Sequence, residues 1–281
     1  MSRFLARLAL LLLSALGAGV NPAPAHPFDP FYEEKQGELA IIGDHLRQGQ
    51  TAEALEQLDK AIAKFPKYGR LRTLKAQVLL REGRTDAALE HVNQAIQLDD
   101  ADAEAYWLRG VARHYRKQLD DAIADFNRVL EIEEHNQALR VRAVGSRGIA
   151  LVDKGRMADG LHDLDQAIEA RPSAVAERQF RAIAQLALKK PEAARVDIEH
   201  VLRVDPNNAL SWRLLGQLRL ATGAPAEALT ALDRSITLNP KDPEAYRYRA
   251  DAHRRLKNAA KARNDDATVC RLVGTAACPT P

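Results

Sequence analysis

Residues 209–242 read ALSWRLLGQLRLATGAPAEALTALDRSITLNPKD. Gly223 and Pro225 split this stretch into two apolar-rich halves. A glycine supplies the positive backbone angle at which a helix stops and turns. A proline two residues later suits the first turn of a second helix, where a missing amide proton costs nothing. Pro240 then ends that second helix. The stretch therefore predicts a helical hairpin, with Gly216 and Ala228 as the small residues that let its helices approach closely.

Working outward, the same arrangement recurs along the chain. Small residues stand at Ala54, Ala88, Ala122, Gly160, Ala194, Ala228 and Ala262, spaced by 34 residues except for one interval of 38. A second register, Ile42, Ala76, Gly110, Gly148, Ala182, Gly216 and Ala250, runs twelve residues earlier. A third, Leu58, Val92, Phe126, Leu164, Ile198 and Leu232, follows the first by four and gives way to Asp266 at the end. These larger residues are expected to fill the gap to the neighbouring pair of helices. Gly49, Gly83, Gly155 and Gly223 mark the turns, Pro191 and Pro225 open second helices, and Pro66, Pro172, Pro206 and Pro240 close them. The extra residues 137–140 amount to about one helical turn, so a longer helix is expected there.

This pattern resembles the tetratricopeptide repeat family, whose Trp, Leu-Gly, Tyr, Ala, aromatic and Pro positions are met by Trp212, Leu215 with Gly216, Ala228 and Pro240. Arg219 replaces the Tyr and Leu232 the aromatic. The resemblance implies an all-α fold, a right-handed α-solenoid of about seven helical hairpins. Repeats are read at 35–68, 69–102, 103–136, 141–174, 175–208, 209–242 and 243–274, after a lead-in over 26–34 and before a tail over 275–281. Asp265, Asp266, Asn264, Lys261 and Arg263 give the last repeat the polar outer side that the end of a repeat array needs.

Comparing the repeats with one another yields a pairing rule. Where the seventh residue is Arg, the twenty-third is Asp: Arg109 with Asp125, Arg147 with Asp163, Arg181 with Asp197, and Arg249 with Asp265. Where the seventh is Ile41 or Leu215, the twenty-third is Gln57 or Ala231, and repeat two has Lys75 with His91. The rule predicts a structural ion pair between the two helices of a repeat. Recurrence in four repeats argues against catalysis, since an active site is singular.

The residues before the first repeat carry a different message. Arg3 and Arg7 precede an apolar run from Leu8 to Val20, followed by Ala23 and Ala25. That is the layout of a secretory signal peptide over 1–25, and 13 apolar residues fall short of the ~20 that span a membrane. Cleavage would leave His26 at the amino terminus; a retained segment would tether the protein instead. The formal charge of +3 falls to +1 once Arg3 and Arg7 are lost, which gives no global case for nucleic-acid binding. Export implies an oxidising compartment, where the only two cysteines, Cys270 and Cys278, form a candidate disulfide. The eight histidines are scattered without metal-ligand spacing, and no phosphate loop or nucleophile motif is present. Neither a metal, a cofactor nor an enzymatic activity is expected.

Function is instead implied by the resemblance. In this family the first helices line a concave groove through the second, fifth, ninth, twelfth and thirteenth positions. On this chain those positions include Arg70, Gln77, Arg81, Trp107, His114 and Tyr115, then Gln179, Ile183, Arg213, Gln217, Arg247 and Arg254. Trp and Tyr with several arginines suit a binding hot spot for a protein or peptide partner, with acidic groups preferred. The family members that clasp a terminal carboxylate resemble one another in using Asn on their first helices; no such Asn ladder exists here. The expectation is an exported, periplasmic scaffold of the bacterial cell envelope. The rival readings are an accessory or catalytic protein of envelope polymer processing, or a membrane-tethered assembly factor.

Overall fold

The computed structural model describes residues 29–274, and over that span every regular element is an α-helix. The signal segment, most of the lead-in, the tail and Cys278 lie outside the described residues, and so does the pairing of Cys270 with Cys278. Fourteen helices follow one another among the described residues: α1 (Tyr32–Arg47), α2 (Thr51–Lys64), α3 (Gly69–Arg81), α4 (Thr85–Leu98), α5 (Ala103–Tyr115), α6 (Leu119–Ile132), α7 (Gln137–Asp153), α8 (Met157–Ala170), α9 (Val175–Ala187), α10 (Pro191–Val204), α11 (Ala209–Ala221), α12 (Pro225–Leu238), α13 (Pro243–Arg255) and α14 (Ala259–Val273). None is long and apolar enough to cross a membrane. The chain forms two compact units that divide between Ala150 and Leu151, inside α7.

In the first unit, Leu39, Ile42, Leu58, Leu71 and Val78 form one apolar cluster across α1 to α3. A larger one runs from Ala76 through Trp107, Leu108 and Phe126 to Leu139, Ala143 and Ala150. The second unit has its own, with Ala182, Ile198, Leu210, Leu214 and Leu218 between α9, α10 and α11, and Leu220, Ala228, Leu232 and Ala252 between α11, α12 and α13. No hairpin could bury these faces alone, so each completes its neighbour's core. Helix α7 has 17 residues where α5 has 13, the added turn falling on residues 137–140.

The small residues of the first helices are explained by contacts within a pair. A Cβ on Gly110 would lie 2.6 Å from the Phe126 ring, and one on Gly216 would lie 2.5 Å from Leu232. The larger residue of the third register thus fills the gap in its own hairpin rather than the gap to the next, which corrects the expectation from sequence. Proximity of the backbones there, not helix propensity, demands glycine.

Each inner turn is closed by the same pair of hydrogen bonds. Gly83 and Arg84 donate to the carbonyls of Leu80 and Leu79, and Lys189 and Lys190 to those of Leu186 and Gln185. This Schellman pattern puts the residue after the helix in the left-handed region. Gly49, Gly83, Gly155 and Gly223 occupy it at no steric cost, but Lys117, Lys189 and Lys257 stand there in three repeats, at φ of 61°, 57° and 58°. Replacing Lys189 by Gly removes the clash of its Cβ with the backbone. The variant is expected to gain about 0.5–1 kcal/mol, read from the urea midpoint.

Candidate functional site

Two sets of polar side chains mark the helical pairs, and they differ in burial. The first set joins helices. Arg109 Nη2 donates to Asp125 Oδ1 at 2.7 Å, and Arg113 Nη1 donates to Oδ2 of the same carboxylate at 2.7 Å. Arg181 Nε reaches Asp197 Oδ2 at 2.6 Å and its Nη2 reaches Oδ1 at 2.8 Å, while Arg178 Nη1 donates to Oδ1 at 2.7 Å. Arg249 makes the matching fork on Asp265, at 2.9 and 2.6 Å. All three carboxylates are buried. The fork fixes both the distance and the plane of approach, which a lysine could not do. Arg147 belongs to the first unit and Asp163 to the second. That pair stays a reading of the sequence.

The seventh-position arginines also reach backward. Arg181 Nη1 donates to Asp165 Oδ1 at 2.8 Å, Arg249 Nη1 to Asp233 Oδ1 at 2.7 Å, and Arg109 Nη1 to Asn93 Oδ1 at 3.3 Å. Arg147 Nη1 does the same to Asn127 Oδ1 at 2.8 Å. Lys75 pairs with Asp59 rather than with His91, its counterpart at the twenty-third position. The backward acceptor is the twenty-fifth residue of the preceding repeat, a signal present in the sequence that the pairing rule missed. One guanidinium therefore ties the second helix of its own pair to that of the pair before. Hydrogen bonding to Asp197 first, and to Asp165 next, holds the Arg181 guanidinium above its ordinary pKa against the opposing effect of burial.

The second set comprises the residues expected to line a groove, and three of them do not. Trp107 is 1% exposed, buried in the core of the first unit. Its Nε1 donates to Ser146 Oγ at 3.2 Å, and the Arg142 guanidinium lies 4.6 Å from its ring. Ser146 on α7 is small enough to admit the indole, so the ring turns inward instead of standing in the groove. His114 and Gln179 are buried too. Gln179 Nε2 donates to Asn208 Oδ1 at 2.6 Å and to Ser211 Oγ at 3.1 Å, which makes it a tie between α9 and α11 rather than a contact for a ligand.

The others keep accessible surface. Arg70 pairs with Glu104 at 2.7 Å and Arg213 with Asp242 at 3.0 Å, each partly buried. Arg247 and Arg254 are exposed and pair with Glu244 and Asp266 on their own hairpin. Gln77, Arg81, Ile183 and Gln217 are half-buried, and among the described residues the first two and Gln217 have no hydrogen-bonding or ionic partner. Tyr115 is half-buried as well, with its hydroxyl shut away from solvent and unpartnered. Among the described residues no cluster of His, Cys, Asp and Glu is placed to hold a metal ion.

The sequence pattern of the tetratricopeptide repeat matches residues 39–103, 73–138, 146–199, 181–243 and 213–269, in register with these hairpins. The chain belongs to the tetratricopeptide repeat family. Among solved tetratricopeptide repeat proteins, one from Parabacteroides merdae is 16% identical, with a TM-score of 0.62 over 86% of this chain and 94% of that one. Another, YrrB, described as having an unusual peptide-binding site, is 21% identical, with a TM-score of 0.51 over 67% of this chain and 95% of that one. These likenesses establish the α-solenoid fold. The Hsp70-Hsp90 organizing protein of Triticum aestivum is 27% identical over 174 residues, which is 61% of this chain and 29% of that protein. The tetratricopeptide repeat protein thus spans less than a third of that curated relative's length.

Proposed function

We propose that this protein is an exported adaptor of the bacterial cell envelope that holds a peptide or protein segment against its first helices. Binding of protein or peptide partners is the general work of the family, and YrrB's peptide-binding site and the organizing role in the wheat relative's name agree with it. The export part of the reading rests on Arg3, Arg7, the run from Leu8 to Val20 and the small residues Ala23 and Ala25. The observation that carries the binding part is the state of the ninth and thirteenth positions. Gln77 and Arg81 in the first unit and Gln217 in the second remain accessible, with no internal partner among the described residues, and Ile183 on α9 offers apolar surface in the second unit. Open to water and tied to nothing inside the fold, these side chains can meet a ligand's polar groups without breaking an internal contact.

Site-specific photocrosslinking in envelope tests this. A benzophenone side chain at Ile183 and one at Gln217 are each expected to capture the same partner. One at Val196, exposed on the second helix α10, is expected to capture none. Equal capture at all three positions would overturn the assignment of the binding face. Amino-terminal sequencing of the same material is expected to start at His26, and a start at Met1 would replace the exported form with a tethered one.

A further inference from the structure

Helix α1 leaves open a side that every later first helix buries. The third and tenth residues of a repeat are buried in all six later hairpins. Leu71 and Val78 share an apolar cluster with Leu39, Ile42 and Leu58, Leu218 with Ala182 and Ile198, and Ala252 with Leu220 and Leu232. In each case the covering residues come from the hairpin before. In α1 the same two places, Gly37 and Asp44, are exposed, and so are Ala40 and Ile41 between them. Residues 37, 40, 41 and 44 fall on one side of a helix, so they form a continuous strip. Ile41 keeps 47% of its surface open.

The strip has the composition of a packing surface. The last hairpin turns Lys261, Arg263 and Asn264 outward, which water solvates, whereas α1 turns out a glycine, an alanine and an isoleucine. A Cβ on Gly37 would meet no atom within 4 Å, so nothing inside the chain requires a glycine here, where it weakens the helix. Gly37 with Ala40 one turn on lets another backbone come close. The charges select the partner. The first turn of α1 carries Glu33 and Glu34, and the last carries His45 and Arg47. Among the described residues Glu33 has no partner, and Arg47 has only the exposed Asp44 on its own helix. A second α1 laid antiparallel on the first sets acid against base at both ends, and the two helix dipoles oppose each other favourably.

We infer that the protein forms a two-fold symmetric dimer in which α1 of each copy packs antiparallel on α1 of the other. Ala40 and Ile41 lie at the dyad, and Glu33 of each copy faces Arg47 of its partner. The same patch is used on both copies, so the contact closes on itself and does not propagate into a filament. The dimer does not depend on what the first helices hold, and it gives the adaptor two copies of its binding face.

Sedimentation velocity of the whole purified protein, from ~1 to ~100 µM, is expected to show a monomer passing to a dimer and to nothing larger. Ile41→Arg sets two cations at the dyad and should weaken the dimer at least about a hundredfold. Four later hairpins carry Arg at this seventh position and Ile41 is exposed, so the variant is expected to fold. Its melting curve at dilution should match that of wild type; a clear drop would make Ile41 part of the monomer's core and overturn the assignment. Arg47→Glu should weaken the dimer at least about tenfold, and adding Glu33→Arg to the same chain should restore it. Failure of that restoration would sink the antiparallel pairing. A monomer at every concentration, a dimer indifferent to Ile41→Arg, or assemblies that keep growing with concentration would each overturn the proposal.

Discussion

Asp197→Ala is expected to destabilise the second unit by about 3–5 kcal/mol, because it takes the carboxylate from Arg178 and leaves Arg181, also largely buried, only the exposed Asp165. Asp165→Ala, by contrast, costs within about 1 kcal/mol, although its carboxylate is bound by the same Arg181 at a similar distance. The difference is burial: the Asp197 side chain is 1% exposed and that of Asp165 is 57% exposed. Water replaces the lost contact at Asp165 and cannot do so at Asp197. Native-state hydrogen exchange of the α9 and α10 amides measures both, and does not require the whole chain to unfold in one step. Equal losses for the two variants would show that the buried pair is no more than a surface pair in its effect.

Trp107→Ala is expected to cost about 3–5 kcal/mol as well, from the cavity left between α5 and α7. Trp107→Phe keeps most of the buried volume, loses the hydrogen bond to Ser146, and is expected to cost less. Any loss of partner binding in Trp107→Ala therefore reports unfolding rather than a removed contact. Fluorescence makes the distinction visible. Trp212, whose Nε1 donates to the Pro206 carbonyl at the surface, is open to acrylamide, and Trp107 is shielded. Folded wild type should show quenching of one tryptophan class only. Two equally quenched classes would return Trp107 to the groove.

These two cases also show what the sequence could and could not convey. The hairpin pattern was legible because its causes are local and repeat: the turn at Gly223, the proline at 225, the small residue at 216 facing the bulky one at 232. The Arg181–Asp197 geometry follows the same logic, since repetition of a buried pair leaves a correlated trace in the chain. The depth of a first-helix side chain does not. Trp107 and Gln179 both hold the fifth position of a repeat, as Arg213 does, yet the first two are buried on hydrogen bonds to the next first helix while Arg213 stays partly exposed on Asp242. Ser146 and Ser211 are the small residues that admit the first two. The lysines at 117, 189 and 257 were illegible for a different reason: packing on both sides of the turn imposes a left-handed backbone on residues that resist it.

The backward reach of the seventh-position arginines sets a rule for how such an array can grow. A hairpin that carries Arg at its seventh place, Asp at its twenty-third and an acid at its twenty-fifth could be duplicated in tandem with every buried cation still matched. The fifth hairpin, with Arg181, Asp197 and Glu199, has this composition, although Leu215 in its successor leaves Glu199 idle. Copying the sixth, with Leu215 and Ala231, would add a link without the electrostatic clasp. Any tandem copy of a hairpin is thus constrained by its residues at three places.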